Sequence, residues 1–524
     1  MPGDLTNKSW WPPAVVGSVT VIGFVLRFLL FGHAAFGDEL STLWIIRENG
    51  LGDVVHAVAS DAEISPPFYF LLAEVASITG DGAAAVRLPS LVAGVATVPI
   101  VYLIGVRTIG RTGAQYATAI AAVSPFLVYF SANARAYSVM ILMLTLGTLA
   151  LLQATENEKR WLPWILWAVA SALALYSHYT TALVIAGQFF WVLAFFPNLR
   201  MKALTGAALT ALLFAPWIAN FFADLNSPTS VILESLQGDG FAAKREATGQ
   251  LLFLRVSPDS VGLWSRLDML LGLGGILLAA AAVVFRLAAG RLRRPNREQG
   301  AGACLVVILA FAVPAGELLL LLAGTDIYGA RNLAATWVGL PLFLGGLAVA
   351  AGRRAGPLAA ALMIAGFGLA TVHLADSSKT TIAYDSAAES IEAEAAPGDT
   401  VLDASIISPA PLGPLDAYLD GDFQIYEMTN LENRPDFIED VFDPYDPQLI
   451  ADEAFSGSGP VYLVTIGDER SPEISEDSSG EYRFGVDTRS VQVPPGWTST
   501  SRKRFEDLET LTVTTFMRER TDKP

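Results

Sequence analysis

A series of long apolar stretches fills the chain from residue 1 to about residue 374 and constrains its fold more than any other feature. About 20 consecutive apolar residues cross a bilayer as a helix, and stretches near that length recur throughout this part. The tail from residue 376 to 524 has no such stretch. Only 16% of the chain is charged, against about a quarter in soluble proteins. The sequence therefore predicts a polytopic α-helical membrane protein with a soluble C-terminal domain.

Eleven membrane spans are predicted on this basis. They lie near residues 13–32, 88–106, 114–132, 136–153, 162–177, 180–196, 203–222, 266–286, 302–322, 333–350 and 357–374. The first apolar run is too long for the hydrophobic part of a signal peptide and is predicted to be an anchor. The segment 65–80 is shorter, and we expect a juxtamembrane helix on the outer face.

Lysine and arginine clusters recur in every second short loop, which fixes the predicted orientation. They are Arg107 and Arg111, Lys159 and Arg160, Arg200 and Lys202, the arginines at 286–297, and Arg353 and Arg354. The N-terminus is thus expected inside, and the loops at 33–87, 133–135, 177–179, 223–265 and 323–332 outside. Because the number of predicted spans is odd, the tail is then expected on the side opposite the N-terminus, outside the cell. The sequence thus predicts a multi-pass protein of the cell membrane.

The tail carries 31 acidic and 11 basic side chains, a net charge of −20, whereas the whole chain carries −17. Such acidity indicates a solvated surface and suits a haloarchaeal source. We predict two domains, a transmembrane domain at 1–375 and an extracytoplasmic α/β domain at 376–524. The tail pattern predicts a helix over 384–396, strands over 400–405, 423–428, 461–466 and 511–517, and loops over 433–447 and 467–480.

The chain has one cysteine, and its four histidines form no cluster with metal-ligand spacing. The histidines and the cysteine therefore offer no metal site, although the sequence leaves the metal requirement open. We also predict no cofactor and no nucleic-acid partner.

Polar groups cluster at the outer membrane boundary of this chain. They are Asp38 with Glu39, Arg87, Arg135 with Tyr137, His178 with Tyr179, and Tyr328 with Arg331. The acidic pair could simply be loop acidity that caps the following helix, and each arginine could extend to headgroup phosphates. However, the positive-inside bias disfavours arginines on the outer side.

Together these groups suit a lipid-linked phosphate. Arginine makes bidentate contacts to phosphate and stabilises charge on a leaving phosphate, while a carboxylate can take the proton of an attacking hydroxyl. The residues thus predict transfer of a group from a phospholipid-like donor to an acceptor hydroxyl on the outer face.

Several stretches resemble the GT-C glycosyltransferases that use polyprenyl-phosphate sugars, the dolichyl-phosphate-mannose protein mannosyltransferase and aminoarabinose transferase group. They are GDELSTLW (37–44), SPPFYFLL (65–72), the segment 87–110, SANARAYS (131–138), SHYTTAL (177–183), YGARNLAATWVGLP (328–341) and the helix at 384–402. The resemblance covers roughly residues 20–400 and rests on the order of these motifs together with the topology.

The resemblance implies an inverting transferase that moves a sugar from dolichyl or polyprenyl phosphate to a glycan or protein hydroxyl, with mannose as the candidate sugar. The catalytic carboxylate would be Asp38, with Glu39 beside it. Donor-phosphate binding is expected at Arg87, Arg135, Tyr137, Tyr328 and Arg331, and substrate contact at Ser65, Asn133, His178 and Tyr179.

The sequence also departs from the family pattern. Ser65-Pro66-Pro67 replaces the usual His-Pro-Pro, Asn133 replaces an acidic residue, and Asn332 follows Arg331. The Trp-Trp-Asp-type motif of oligosaccharyltransferases is absent. These departures leave the sugar and the acceptor open.

Two other functions stay open at this point, a transporter or flippase of lipid-linked sugars and a non-catalytic membrane scaffold. The outer loop 223–265, with Lys244 and Arg245, could close over a substrate. The tail could position an acceptor or serve only as a stabilising cap.

Overall fold

The structure is a computed structural model. It describes residues 11–35, 37–59, 64–80, 82–227, 240–254, 264–292, 295–375, 382–405, 412–428, 446–467, 474–476, 481–486, 489–507 and 509–519. Its residues form two compact units. Unit 1 comprises Met1–Gly32, Leu51–Ile78 and Val86–Ala375, and unit 2 comprises His33–Gly50, Thr79–Ala85 and Asp376–Pro524.

Nineteen α-helices are described along the chain. They are α1 (Trp11–Phe31), α2 (Asp38–Glu48), α3 (Val54–Ala57), α4 (Phe68–Ser77), α5 (Ala83–Thr108), α6 (Gly110–Val123), α7 (Pro125–Ser131), α8 (Tyr137–Glu156), α9 (Leu162–Leu175), α10 (Thr181–Phe195), α11 (Arg200–Phe214), α12 (Ile218–Leu225), α13 (Gly240–Phe253), α14 (Trp264–Ala288), α15 (Arg297–Leu322), α16 (Leu340–Ala351), α17 (Ala355–Leu374), α18 (Tyr384–Glu392) and α19 (Pro447–Ala454). Short 3-10 helices lie at Pro197–Leu199, Ala215–Trp217 and Asn332–Val338.

The predicted membrane architecture is confirmed, but the number of spans is not. Among the described residues, seven helices are long and apolar enough to cross a membrane, and two bent pairs, α6 with α7 and the 3-10 helix Asn332–Val338 with α16, bring the number to nine. The spans expected at 162–177 and 180–196 correspond to helices of 14 and 15 residues, shorter than a span. The count of eleven therefore stays a prediction, as does the outer-face position of α4, whose ten residues are too few to cross.

Small residues let α14 and α17 pack with their backbones in close contact. A Cβ added at Gly366 would lie 2.3 Å from the backbone nitrogen of Gly272, and one added at Gly275 would lie 2.7 Å from the carbonyl oxygen of Ala359. Helices in lipid associate through such close packing, since burial of apolar side chains gains little there.

An arginine inside the first span ties three helices together. The side chain of Arg27, only 1% exposed, donates to the carbonyl oxygens of Gly23 (2.9 Å) and Ala122 (3.1 Å) and to the hydroxyl of Ser131 (3.1 Å). A buried charge in a membrane protein is tolerated when such partners surround it. Arg27 therefore has a structural role in joining α1 to α6 and α7.

The C-terminal tail folds around two sheets. The five-stranded sheet has the order β2-β1-β3-β8-β7, with β2, β1 and β3 parallel and β8 antiparallel to both β3 and β7. A three-stranded antiparallel sheet has the order β4-β5-β6. The strands are β1 (Thr400–Asp403), β2 (Gln424–Glu427), β3 (Val461–Gly467), β4 (Ser475–Glu476), β5 (Tyr482–Val486), β6 (Arg489–Gln492), β7 (Trp497–Glu506) and β8 (Thr510–Arg518).

Each of the four strands expected from the sequence is present, as is the expected helix, here α18. The fold class predicted for the tail is thus confirmed, and its core includes Tyr384, Val401, Val464 and Val513. The strands β4 to β7 and helix α19 were not predicted. Most of the loops expected at 433–447 and 467–480 lies outside the described residues.

Candidate functional site

Arg135 lies in the turn between α7 and α8, where several of the predicted site residues meet. Its guanidinium donates to the hydroxyl of Ser65 at 3.4 Å, and its side chain is largely buried. Tyr137, two residues later, begins α8, and its ring lies 5.7 Å from that of His178. The structure therefore brings together three parts of the chain that are far apart in sequence, namely Ser65, the pair Arg135 and Tyr137, and His178.

Arg87 belongs to the same region of unit 1. It lies in the second turn of α5, is 2% exposed, and donates to the carbonyl oxygen of Phe31 at 2.9 Å. Ser90, one turn further along α5, contacts the carbonyl oxygen of Arg135 and the hydroxyl of Tyr69, both at 3.0 Å. A buried hydroxyl network therefore joins the helix that carries Arg87 to the turn that carries Arg135.

His178 is a neutral group in this cluster. Burial, and to a smaller extent the nearby charge of Arg135, lowers the pKa of His178 to about 4. Its Nδ1 lies 3.0 Å from the hydroxyl of Thr180 and accepts the Thr180 backbone N–H at 3.4 Å. The proton of the neutral ring is then on Nε2, so His178 can offer a hydrogen-bond donor without carrying charge.

Two residues predicted to contact substrate have other contacts here. The hydroxyl of Tyr179 bonds to the carboxylate of Asp224 and accepts from Trp217 Nε1 at 2.9 Å. The side chain of Asn133 donates to the carbonyl oxygen of Tyr129 at 3.4 Å. Tyr179 thus ties its turn to α12, while Asn133 bonds within its own turn, and substrate contact by either stays a prediction.

Tyr328 and Arg331 lie in the segment that leads into the 3-10 helix Asn332–Val338. This helix packs against α8 and α15. Tyr328 is 8% exposed, and its hydroxyl is 3.2 Å from that of Thr248 on α13, while Arg331 is exposed. Their predicted role in binding the donor phosphate is not tested by these contacts.

Helix α13 contacts residues 326–337 at three points, which are spaced about one helical turn apart along α13. The ammonium of Lys244 pairs with the carboxylate of Asp326, Thr248 contacts Tyr328, and the carbonyl oxygen of Leu251 accepts from Trp337 Nε1 at 3.1 Å. A cavity of about 630 Å³ lies here, lined mainly by apolar groups and by Lys244 and Arg245. The parts of loop 223–265 on either side of α13, residues 228–239 and 255–263, lie outside the described residues.

Asp38 and Glu39 occupy the first turn of α2 in unit 2. Gly37 precedes them with φ of +59°, a backbone conformation that favours glycine. The partial positive charge of a helix N-terminus stabilises carboxylates at this position. Glu39 is 4% exposed and Asp38 half-buried. The functional pairing of these carboxylates with the arginines of unit 1 stays a prediction.

Glu317 was not singled out from the sequence, yet it has the environment of a functional residue. It lies on α15, is fully buried, and neither carboxyl oxygen has a hydrogen-bond partner among the described residues. An unpaired buried carboxyl is costly and marks a functional candidate inside a membrane. The signal available in the sequence was one acidic residue within the apolar run 302–322.

No group of three histidine, cysteine or acidic side chains in the described part of the chain is placed to hold a metal ion.

Comparison with known proteins gives this arrangement a context. The model of a family described as dolichyl-phosphate-mannose-protein mannosyltransferase matches residues 64–219. The matched segment contains Arg87, Arg135, Tyr137 and His178. No curated protein matches the chain by sequence.

The oligosaccharyltransferase of Archaeoglobus fulgidus has a similar structure, with a TM-score of 0.52 at 12% identity, over 93% of this chain and 76% of that one. The chain has the GT-C fold. The resemblance inferred from the sequence motifs is thereby confirmed at the level of fold.

Two further solved GT-C structures align with the chain. ArnT from Cupriavidus metallidurans aligns over 92% of this chain and 97% of its own, at 15% identity and a TM-score of 0.44. The mycobacterial arabinofuranosyltransferase AftD aligns over 97% of this chain and 42% of its own, at 16% identity and a TM-score of 0.46. The haloarchaeal source stays a prediction.

Proposed function

We propose that this GT-C protein transfers a monosaccharide from dolichyl or polyprenyl phosphate to a hydroxyl of a glycan or protein acceptor on the outer face. The observation that carries the proposal is the cluster of Ser65, Arg135, Tyr137 and His178, with Arg87 tied to it through Ser90. The mannosyltransferase family match covers this cluster and supports both the reaction class and mannose as the first sugar to test.

The proposed mechanism is a single displacement with inversion. Asp38 takes the proton of the acceptor hydroxyl as that oxygen forms a bond to the anomeric carbon. The bond from the anomeric carbon to the phosphate oxygen breaks, and the electron pair leaves with the lipid phosphate. Arg87, Arg135 and Arg331 stabilise the negative charge that grows on the phosphate, and Tyr137 and Tyr328 offer hydroxyl donors. Glu39, the residue next to Asp38, assists Asp38 in its role as the base.

The test is sugar transfer in membranes that contain either the wild-type chain or Asp38→Asn. The substrate is a labelled polyprenyl-phosphate mannose, and both lipid-linked glycans and glycoproteins are analysed as products. We expect Asp38→Asn to lose transfer by roughly 10²-fold or more, the scale of a lost general base. Transfer by Asp38→Asn at the wild-type rate would rule out this mechanism.

A second candidate function is a flippase of lipid-linked sugars. Two bent helix pairs and the buried carboxyl of Glu317 favour it, since broken spans and intramembrane ionisable groups are typical of transporters. A flippase would move the labelled donor across proteoliposomes equally well with Asp38→Asn and would form no glycosylated product.

A further inference from the structure

Helix α2, which carries Asp38 and Glu39, folds as part of unit 2 together with the C-terminal tail. In sequence the helix follows the first span directly, and more than 300 residues separate it from the tail. The candidate catalytic carboxylates are therefore built into the same structural unit as the soluble domain, whose role is otherwise unassigned.

Two adjacent tail residues contact the α2 segment near both of its ends. The guanidinium of Arg47, in the last turn of α2, donates to the carbonyl oxygen of Ala417 at 2.8 Å. The backbone N–H of Ala35, three residues before Asp38, donates to the hydroxyl of Tyr418. An 11-residue helix is about 16 Å long, so contacts near both ends restrain its tilt as well as its position.

The Ala417–Tyr418 pair is itself firmly held within the tail. Backbone bonds from Ala417 to Gly413 (3.1 Å) and from Leu419 to Leu415 (3.1 Å) form a helical turn. Leu415 and Leu419 pack in the hydrophobic core beside Val401 of β1 and Val464 of β3. The next residue after this turn, Asp420, donates its N–H to Glu392 of α18 at 2.5 Å. The two residues that contact α2 thus belong to a hydrogen-bonded turn that packs into the hydrophobic core of the domain.

We propose that the C-terminal domain positions the catalytic helix, with Arg47 and Tyr418 as the positioning residues. The inference rests on the proposed function, in which Asp38 is the general base. A base acts only within hydrogen-bond reach of the proton that it removes, and a misplacement of about 1 Å can cost roughly 10²-fold in rate. On this view the domain serves the chemistry through α2, without contacting the sugar.

The experiment compares full-length wild type with Arg47→Gln, Tyr418→Phe and the double variant. We expect the double variant to lose about tenfold or more in kcat with little change in the KM for the donor. Amide hydrogen exchange should rise in residues 38–48 and stay unchanged in β1 and β3. Arg47→Lys, which retains a donor and the charge, should recover part of the loss.

Matched controls come from the same domain. Tyr426→Phe removes a tail hydroxyl that has no partner among the described residues, and Arg518→Gln removes an arginine that donates to the carbonyl oxygen of Gly457. Neither should change kcat or exchange in residues 38–48. The triple variant, which combines Asp38→Asn with Arg47→Gln and Tyr418→Phe, should have the same kcat as Asp38→Asn alone, because the positioning acts through Asp38.

The outcomes separate this inference from the proposed function. If Asp38→Asn abolishes transfer but the double variant keeps wild-type kcat and wild-type exchange in residues 38–48, the positioning role is wrong and the reaction assignment stands. If Asp38→Asn transfers normally, the reaction assignment itself is wrong and the positioning role, which depends on it, falls too.

Discussion

The imidazole of His178 is half-buried beside Arg135, and this environment sets how the group responds to pH. With its pKa lowered to about 4, His178 stays neutral between pH 5 and 8. We expect His178→Gln, which keeps a donor, to change the transfer rate by no more than a few-fold. The shape of log(kcat/KM) against pH over this interval should stay that of the wild type.

The same shift affects stability in acid. A histidine whose pKa is lower in the folded state binds protons more tightly when unfolded, so stability is retained above pH 6.5 and lost as pH falls towards 4. His178→Gln should remove this part of the loss in thermal unfolding scans, whereas His56→Gln, at an exposed position, should not. A pH–rate profile that loses its acid limb in His178→Gln would contradict the neutral assignment.

The sequence identified side chains at loop boundaries but not the partners of buried ones. Arg135, Tyr137 and His178 could be predicted because polar groups beside apolar runs stand out, whereas Ser65 was singled out only through the family motif that it alters. In contrast, Arg27 and Glu317 lie inside the runs, where hydropathy averages hide one charge. Which carbonyl oxygens surround Arg27, or that Glu317 has no described partner, depends on packing between helices that no local pattern encodes.

Helix α13 shows how a single element is fixed by side chains one turn apart. Lys244 and Asp326 form an ion pair whose side chains are only 13% and 16% exposed, and reversing one charge would leave like charges together in a poorly solvated place. We expect Lys244→Glu to increase amide exchange across residues 240–253 by about tenfold or more. Asp326→Lys added to Lys244→Glu should restore most of the protection.

The neighbouring arginine provides the control for this swap. Arg245 lies next to Lys244 but is exposed and has no partner in the described part of the chain. Arg245→Glu should leave the exchange of 240–253 as in the wild type. Equal exchange in Lys244→Glu and Arg245→Glu would show that the ion pair does not hold the helix.

Elements were predictable where one residue pattern dominates. The buried strands β1, β3 and β8 are short runs of apolar and β-branched residues, and such runs are recognisable alone. Strand β7, with the sequence WTSTSRKRFE, is largely polar and forms because β8 offers it a ladder of hydrogen bonds. In contrast, α9 and α10 lie within apolar runs of nearly span length, but each helix is shorter than its run.

The orientation of the whole molecule can be tested directly, because Cys304 is its single cysteine. In a Cys304→Ser background, Ser458→Cys places a thiol on the exposed surface of the tail, and Glu158→Cys places one in the loop beside Lys159 and Arg160. The positive-inside rule predicts that a membrane-impermeant maleimide labels the tail position in intact cells. The loop position should react only after the membrane is permeabilised.

The two sites control for each other, since each is exposed and each should be labelled in solubilised protein. Labelling of Glu158→Cys in intact cells, with protection of Ser458→Cys, would invert the predicted topology. The reaction would then have to be placed on the inner face.

Unit 2 draws on residues from both ends of the chain, and this has a consequence for the order of synthesis. Helix α2 leaves the ribosome after the first span, but Ala417 and Tyr418 follow only after the last one. At 5–20 residues per second, this interval is on the order of 20 to 70 s. Throughout it, the growing polypeptide can insert its spans while the acidic pair has no support from the tail. If the tail positions α2 as proposed, no copy becomes active before its last domain has been exported and folded.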